Sequence, residues 1–144
     1  MQTNDRSPID AQGLDVLEAR LREDLDFLCY PGKDWVPAQE GVSDVVIIGG
    51  GMCGMVAWLG LTTGGVQNIR VLDRNPAGLE GPWLNYARME TLRSPKTLTG
   101  PAFGHGALTF QAWFRAQHGR EAWEKMDKIP RPMWMEYLLS LIHI

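Results

Sequence analysis

Apolar residues near the start of the chain recur at helical spacing. Between residues 11 and 28, each leucine follows the previous one after three or four positions, which places them on one face of a helix. The leucines are Leu14, Leu17, Leu21, Leu25 and Leu28. A stripe this narrow predicts a helix that packs on its own domain, with docking onto a partner protein as the alternative. Pro31-Gly32 is expected to end the helix.

Two short apolar runs flank a helix-like stretch further along the chain. Residues 45–48 (Val-Val-Ile-Ile) predict a buried strand, and residues 69–72 predict a second strand. Between them, residues 52–62 are apolar nearly all round, which predicts a helix covered on several sides and ended by Gly64-Gly65. Strand, helix and strand in this order predict an α/β fold with parallel strands.

The last part of the chain returns to helical spacing. Thr109 is a candidate N-cap for a helix that carries Trp113 and ends at Gly119, and two further short helices carry Trp123 and Trp134. We expect the three tryptophans to pack between these helices rather than to line a cofactor site.

The first predicted strand runs directly into residues 49–54 (Gly-Gly-Gly-Met-Cys-Gly), which have the spacing GxGxxG. Gly49 allows a tight turn, Gly51 lets a diphosphate approach the backbone, and Gly54 lets the helix pack close to the sheet. Asp73 follows the second strand, 19 residues beyond Gly54, where a carboxylate can accept both ribose hydroxyls. The combination predicts an adenine-dinucleotide site, with a glycine-rich turn in another βα unit as the alternative.

The segment after Asp73 disfavours a simple NAD-binding domain, in which another helix follows the acid. Residues 74–83 contain two prolines and two glycines, which do not sustain a helix. Residues 85–100 also lack periodicity. We expect them to wrap a ligand, with an ordinary surface loop as the alternative.

Composition narrows the classes of function. The 144 residues carry a formal net charge of -3, with a pI near 5.6, so no nucleic-acid partner is expected. The sequence has no apolar run long enough for a membrane span and no apolar signal core near its start. Cys29 and Cys53 lack metal-site or redox-pair spacing, so no metal is expected. These features predict a cytoplasmic protein that acts on a small molecule.

Several of these motifs together resemble the N-terminal FAD-binding region of flavin-dependent monooxygenases. In the flavin-containing and Baeyer–Villiger types, an acidic residue directly followed by a basic residue precedes a Gly-Gly-x-Trp motif. Here Asp73-Arg74 is followed by residues 81–83 (Gly-Pro-Trp), with Glu80 in place of the first glycine. Residues 86–96 are similar to the next stretch of a subgroup of FAD-dependent hydroxylases that act on urate or on an amino acid's amino group.

This resemblance implies an incomplete, Rossmann-like FAD/NAD(P)-binding domain that holds FAD, with NADPH as reductant and a small, nitrogen-containing substrate. Backbone N–H groups of Met52 and Cys53 are implied to face phosphate, Asp73 to hold the ribose, Arg74 to lie along the adenine and Trp83 to border the flavin. The residues implied to contact the cofactor are Gly49, Gly50, Gly51, Met52, Cys53, Gly54, Asp73, Arg74 and Trp83. The resemblance assigns no catalytic residue.

The resemblance also suggests how the chain is organised. Residues 1–41 are expected to form a tail, a helix and a linker, and residues 42–138 the N-terminal part of the FAD-binding domain. A second glycine motif for NADPH does not occur in the sequence. Residues 139–144 (Leu-Ser-Leu-Ile-His-Ile) resemble a translated sequencing adapter and are expected to be foreign, with Leu141, Ile142 and Ile144 lacking specific partners. The alternative is a genuine apolar end of a helix, with these three residues buried against the domain. The alternative functions are an NAD-dependent dehydrogenase domain and a non-catalytic dinucleotide-binding module.

Overall fold

A computed structural model describes residues 10–141, which form a mixed α/β fold. The elements in chain order are α1 (Leu14–Phe27), β1 (Val45–Ile48), α2 (Met52–Thr63), β2 (Ile69–Leu72), a 3-10 turn (Gly106–Leu108), α3 (Phe110–Lys125) and α4 (Arg131–Leu141). None of these helices is long and apolar enough to cross a membrane. The predicted order of strand, helix and strand is confirmed.

The two strands and α2 form the unit that carries the glycine motif. β1 and β2 pair in parallel, with Val45 opposite Ile69. α2 packs on one face of this pair, where Ile47 lies against Gly54. A Cβ on Gly54 would lie 1.9 Å from the carbonyl oxygen of Gly49. The predicted role of Gly54 in close packing of the helix is therefore confirmed.

The expectation that β1 is a buried strand is wrong, because Val45 and Ile47 are half-buried and the residues that alternate with them are exposed. Val46 is 48% exposed and Ile48 is 81% exposed, and Leu72 on β2 is exposed as well. α2 covers only one face of the two-stranded sheet, so the side chains that point to the other face contact solvent. α2 itself is fully buried only at Gly54 and Thr62, so it is not covered on several sides.

An aromatic core joins α3 and α4. Phe110 is fully buried, and its ring centroid lies 5.6 Å from those of Trp113 and Trp134 and 5.4 Å from that of Tyr137. Trp123 lies 6.2 Å from the same ring. Edge-to-face and tilted pairs at these distances add to the stabilisation from burial. The prediction that the three tryptophans pack in a core is confirmed.

α3 begins and bends at the residues that the sequence indicates. The Thr109 hydroxyl accepts a hydrogen bond from the Ala112 N–H at 3.2 Å, which caps the helix. Gly119 has φ +78°, a conformation that glycine adopts without a steric penalty, and it divides α3 into two segments. The two helices predicted around Gly119 are the two segments of α3.

The predicted leucine stripe of α1 packs on the same domain. Leu17, Leu21 and Leu25 are buried, and the helix contacts α3 and the 3-10 turn. Leu28 is 64% exposed, because α1 ends at Phe27 and the chain leaves the helical face there. The intramolecular alternative is therefore confirmed, without Leu28.

The long loop between β2 and the 3-10 turn is attached to the helices. Thr91 forms an isolated antiparallel bridge with Pro130. The Lys96 Nζ donates hydrogen bonds of 2.7 Å to the carbonyls of Trp123 and Met126, and it lies 4.9 Å from the Trp123 ring centroid. This part of the loop packs on the helical core, and the wrapping of a ligand by residues 85–100 stays a prediction.

The last described residues belong to α4. Leu141 is half-buried and packs against the cluster that contains Leu21 and Leu25 as well as against the aromatic core. Residues 139–144 were expected to lack specific partners, and Leu141 does not fit that expectation. Residues 142–144 lie outside the described part of the chain, as does the predicted tail before residue 10. The division of the chain into three units stays a prediction.

Candidate functional site

The glycine turn connects β1 to α2. Gly49 has φ +110°, and its N–H donates a hydrogen bond of 2.7 Å to the Leu72 carbonyl at the end of β2. This left-handed backbone conformation favours glycine, although a side chain at Gly49 would meet no atom within 4 Å. Gly51 has φ -71° and ψ -172°, which any residue adopts. Gly49 is thus required for its conformation, and Gly51 is not.

The N-terminus of α2 is open to an anion. Gly51 is the N-cap, and no side chain among the described residues caps the helix. The first intrahelical hydrogen bond runs from the Met55 N–H to the Gly51 carbonyl at 3.0 Å. The N–H groups of Met52 and Cys53 therefore lie at the positive end of the helix dipole without a helical acceptor. This arrangement suits a diphosphate.

Asp73 lies beside the glycine turn at the end of β2. Its Oδ1 accepts a hydrogen bond from the Asn75 N–H at 2.7 Å, and its Oδ2 accepts one from the Gly50 N–H at 2.7 Å. These two backbone donors hold the pKa of Asp73 below its usual range, against a smaller opposing effect of desolvation. Each carboxylate oxygen has lone-pair capacity left for a ligand hydroxyl.

A second segment, residues 78–81, closes over the same turn. The Glu80 Cγ lies 3.2 Å from the position that a Cβ on Gly50 would occupy, and the Gly81 Cα lies 3.4 Å from the corresponding position on Gly51. The Glu80 Oε2 accepts a hydrogen bond from the Gly78 N–H at 2.8 Å. The sequence reasoning treated Glu80 only as a departure from a motif and missed this contact.

A cavity of about 420 Å³ extends from the glycine turn toward α1. Its polar end is formed by Gly50, Gly54, Asp73, Asn75 and Glu80. Its apolar part includes Leu25, Tyr30, Met55, Trp58, Leu59 and Leu108. The volume and the mostly apolar lining are typical of small-molecule sites. The only sequence signal for Met55, Trp58 and Leu59 was that α2 is apolar beyond the face it presents to the strands.

Two of the predicted site residues, Arg74 and Trp83, do not line this cavity. The Arg74 side chain is exposed next to Asp73. Trp83 packs edge-on against Trp134, with ring centroids 6.1 Å apart, and its carbonyl accepts a hydrogen bond from Arg131. The Trp83 Nε1 is buried without a hydrogen-bond partner among the described residues. The cavity therefore brings Gly50, Gly54 and Asp73 together, whereas Trp83 is half-buried and packs against the aromatic core.

Trp83 nevertheless adjoins the glycine turn through one residue. A Cβ on Gly81 would lie 3.7 Å from the Gly51 Cα and 3.9 Å from the Trp83 Nε1. The indole N–H of Trp83 and the N-terminus of α2 at Gly51 thus both lie close to Gly81.

A glycine turn before an uncapped helix, with a carboxylate at the end of the neighbouring parallel strand, is typical of dinucleotide-binding proteins. The chain belongs to the FAD-NAD(P)-binding family, whose model matches residues 46–143. It is similar to the FAD-dependent urate hydroxylase of Xanthomonas campestris pv. campestris, with 49% identity over 127 residues. No solved structure matches the chain.

The extent of this similarity differs between the two proteins. The aligned residues make up 85% of this chain and 27% of the urate hydroxylase. The chain thus corresponds to about a quarter of that relative. The resemblance to the FAD-binding region of a flavin-dependent hydroxylase is confirmed at the level of the family and this relative.

Proposed function

We propose that this chain is the FAD-binding region of an NAD(P)H-dependent flavoprotein monooxygenase that hydroxylates a small, nitrogen-containing substrate. The observation that carries the proposal is the position of Asp73, which lines a cavity next to the glycine turn and the open N-terminus of α2. The similarity to an FAD-dependent urate hydroxylase supports both the flavin and the class of substrate.

The residues present fit an adenine dinucleotide such as FAD. The N–H groups at the start of α2 suit the diphosphate, and the ionised Asp73 suits the ribose hydroxyls. The buried Trp83 Nε1 is a donor without a partner among the described residues, and it adjoins the turn through Gly81. The Nε1 atoms of Trp113 and Trp134 in the aromatic core lack a partner among the described residues as well, so it is the position next to Gly81 that relates Trp83 to the turn.

The contribution of the chain to the reaction is binding, orientation and exclusion of water. FAD, once reduced by NAD(P)H, supplies the oxygen chemistry that hydroxylation needs. Gly54 keeps α2 close to β1, so that the helix N-terminus points at the diphosphate. Asp73 stays ionised at neutral pH, because two backbone N–H groups stabilise its charge. The apolar side chains of α1 and α2 limit water along the cavity.

The loop after Asp73 also favours a flavoprotein over an NAD-dependent dehydrogenase. Residues 74–105 contain no regular helix, and residues 78–81 lie against the glycine turn instead. A non-catalytic dinucleotide-binding module would share the glycine turn and Asp73. Two measurements therefore separate the three functions: which cofactor the chain binds, and whether a longer form containing the chain turns over substrate.

The direct test is a calorimetric titration of the chain with FAD, FMN and NAD⁺. We expect FAD to bind and FMN to bind far more weakly, because FMN lacks the adenosine half that Asp73 and the glycine turn contact. Tighter binding of NAD⁺ than of FAD would favour the dehydrogenase, and binding of none of the three would overturn the proposal.

The chain alone should consume no oxygen with NADPH, because it has no second glycine motif. A longer form containing this chain should consume oxygen with NAD(P)H and substrate; FAD binding without such turnover would favour the non-catalytic module.

A further inference from the structure

We propose that Glu80 determines which nucleotides this site accepts. Together with Asp73, it forms a paired-carboxylate wall that accepts hydroxyl groups of the ligand and rejects a phosphate group at the same place. This inference rests on the proposed function and specifies the ligand of the same site.

The two carboxylate side chains lie over one residue of the glycine turn. The Glu80 Cγ is 3.2 Å and the Asp73 Oδ2 is 3.7 Å from the position that a Cβ on Gly50 would occupy. Both residues line the polar end of the cavity. A ligand group that enters this end therefore meets both side chains.

The Glu80 carboxylate is held in place and still has free acceptor capacity. Its Oε2 accepts the Gly78 N–H at 2.8 Å, whereas its Oε1 has no hydrogen-bond partner among residues 10–141. Both oxygens of Asp73 already accept backbone N–H groups. The Glu80 Oε1 is thus the less engaged acceptor of the pair, and it favours a hydroxyl donor over an anion.

The charge of the cavity points in the same direction. No Lys, Arg or His is among the described residues that line it; the exposed Arg74 beside Asp73 contributes least among the groups that lower the pKa of that carboxyl. A ribose with a free 2′-hydroxyl donates hydrogen bonds to such a wall. A 2′-phosphate would place additional negative charge beside two carboxylates, and Coulomb repulsion would oppose its binding. The wall therefore selects FAD, which has no 2′-phosphate, over NADPH, which has one.

This selection has a purpose in the proposed reaction. The reductant and the resident cofactor share an adenosine-diphosphate half, so a site that recognised only that half would bind both. Rejection of the 2′-phosphate keeps a 2′-phosphorylated reductant out of the flavin site. Specificity of this kind depends on a repulsive element as well as on attractive contacts.

The test compares ADP-ribose with 2′-phospho-ADP-ribose, which differ only in the 2′-phosphate. Calorimetry of the chain should show a preference for ADP-ribose. Glu80→Gln keeps an oxygen that can accept the Gly78 N–H but removes the charge, and it should reduce the preference about tenfold. Glu121→Gln, an equal charge change at an exposed position of α3, should leave the preference unchanged. Added salt should weaken the preference of the wild type.

The outcomes separate the two proposals. An unchanged preference in Glu80→Gln, with ADP-ribose still bound, would overturn the role of Glu80 and leave the FAD site standing. No binding of ADP-ribose or FAD to the wild type would overturn both. Glu80→Asp keeps the charge on a shorter side chain and serves as a second variant in case Glu80→Gln does not fold. If Glu80→Asp retains the wild-type preference for ADP-ribose, the charge argument is supported. If Glu80→Asp loses that preference about tenfold, the charge argument is overturned.

Discussion

The backbone N–H of Gly50 donates a hydrogen bond of 2.7 Å to the Asp73 carboxylate, across 23 positions of sequence. This contact joins the glycine turn to the end of β2. Asp73 therefore stabilises the turn and also presents acceptor oxygens to the cavity. A substitution of Asp73 should therefore alter both the conformation of the turn and the binding of a nucleotide. A binding experiment on such a variant needs a control that separates these two effects.

Gly54→Ala should destabilise the fold. The added methyl group would lie 1.9 Å from the Gly49 carbonyl oxygen, which is rigid backbone, so α2 and β1 would have to separate. We expect a loss of about 1–3 kcal/mol in the free energy of unfolding, as for other overpacked sites, measured by urea titration. Gly106→Ala is the matched control, because a Cβ there meets no atom within 4 Å. Equal stability of the two variants would contradict the close approach.

Gly51→Ala should separate ligand binding from folding. A Cβ on Gly51 would make an ordinary contact of 3.4 Å with Gly81, and the backbone of Gly51 is extended. The free energy of unfolding should fall by about 1 kcal/mol or less, the usual cost of alanine at an N-cap. Binding of FAD should nevertheless be weakened, because the methyl group lies at the N-cap of α2, beside the N–H groups that are expected to hold the diphosphate. Retained FAD affinity in a folded Gly51→Ala would exclude this path for the diphosphate.

Neighbouring residues of β1 should respond differently to the same substitution. Ile48 is 81% exposed, so Ile48→Thr should change the free energy of unfolding by about 0.5 kcal/mol or less. Ile47 lies against Gly54 under α2, and Ile47→Thr should cost about 1–3 kcal/mol, because it removes apolar contact and buries a hydroxyl. A larger loss for Ile48 than for Ile47 in parallel melts would reverse the assigned faces of β1.

The ion pair between Asp10 and Arg115 should make stability depend on pH. The Arg115 guanidinium donates hydrogen bonds of 2.7 and 3.0 Å to the two oxygens of Asp10, and these bonds hold the pKa of that carboxyl below its usual value of 3.8. The folded pKa is the lower one, so the stabilisation is complete above the unfolded pKa and is lost as pH falls through the folded pKa.

Asp10→Asn should therefore lower the free energy of unfolding by about 1.5–3 kcal/mol at pH 7, the usual worth of hydrogen bonds to a charged group. The difference from the wild type should shrink as pH falls below the unfolded pKa. The control is Glu18→Gln, which breaks the exposed pair with Arg22 and should cost about 0.5 kcal/mol or less. Unfolding by guanidinium chloride at pH 7 and at acid pH provides the measurement. If the loss in the free energy of unfolding caused by Asp10→Asn does not vary with pH, the ion pair is not its origin.

Features that depend on a residue's own backbone were predictable from the sequence. Gly49 and Gly119 adopt left-handed conformations where the pattern required a turn, and Thr109 caps α3 where the apolar spacing begins. Each of these depends on interactions within a few positions of sequence. The glycine turn and the start of α2 followed for the same reason, whereas the place of Asp73 followed from its spacing in the dinucleotide-binding pattern.

Features that depend on the path of the long loop were not predictable. Glu80 reaches Gly50 through a segment without periodicity, and Lys96 donates to carbonyl groups at the end of α3 about thirty positions away. No local pattern encodes either contact, because both follow from how the loop packs on the finished fold. The exposure of Ile48 was missed for a related reason: an apolar run does not state which of its faces will be covered.

The most direct test of the account is the affinity of the Asp73→Ala chain for FAD. Loss of the charge-assisted hydrogen bonds to the ribose should weaken binding roughly tenfold or more relative to the wild type, measured by calorimetry after dialysis. Asp73→Asn keeps an oxygen that can accept the Gly50 N–H of the turn but removes the charge, and it should also weaken FAD binding, whereas Asp127→Ala, at an exposed position beyond α3, should bind FAD as the wild type does. Wild-type affinity for FAD in a folded Asp73→Ala chain would contradict the central claim that this carboxylate holds the cofactor.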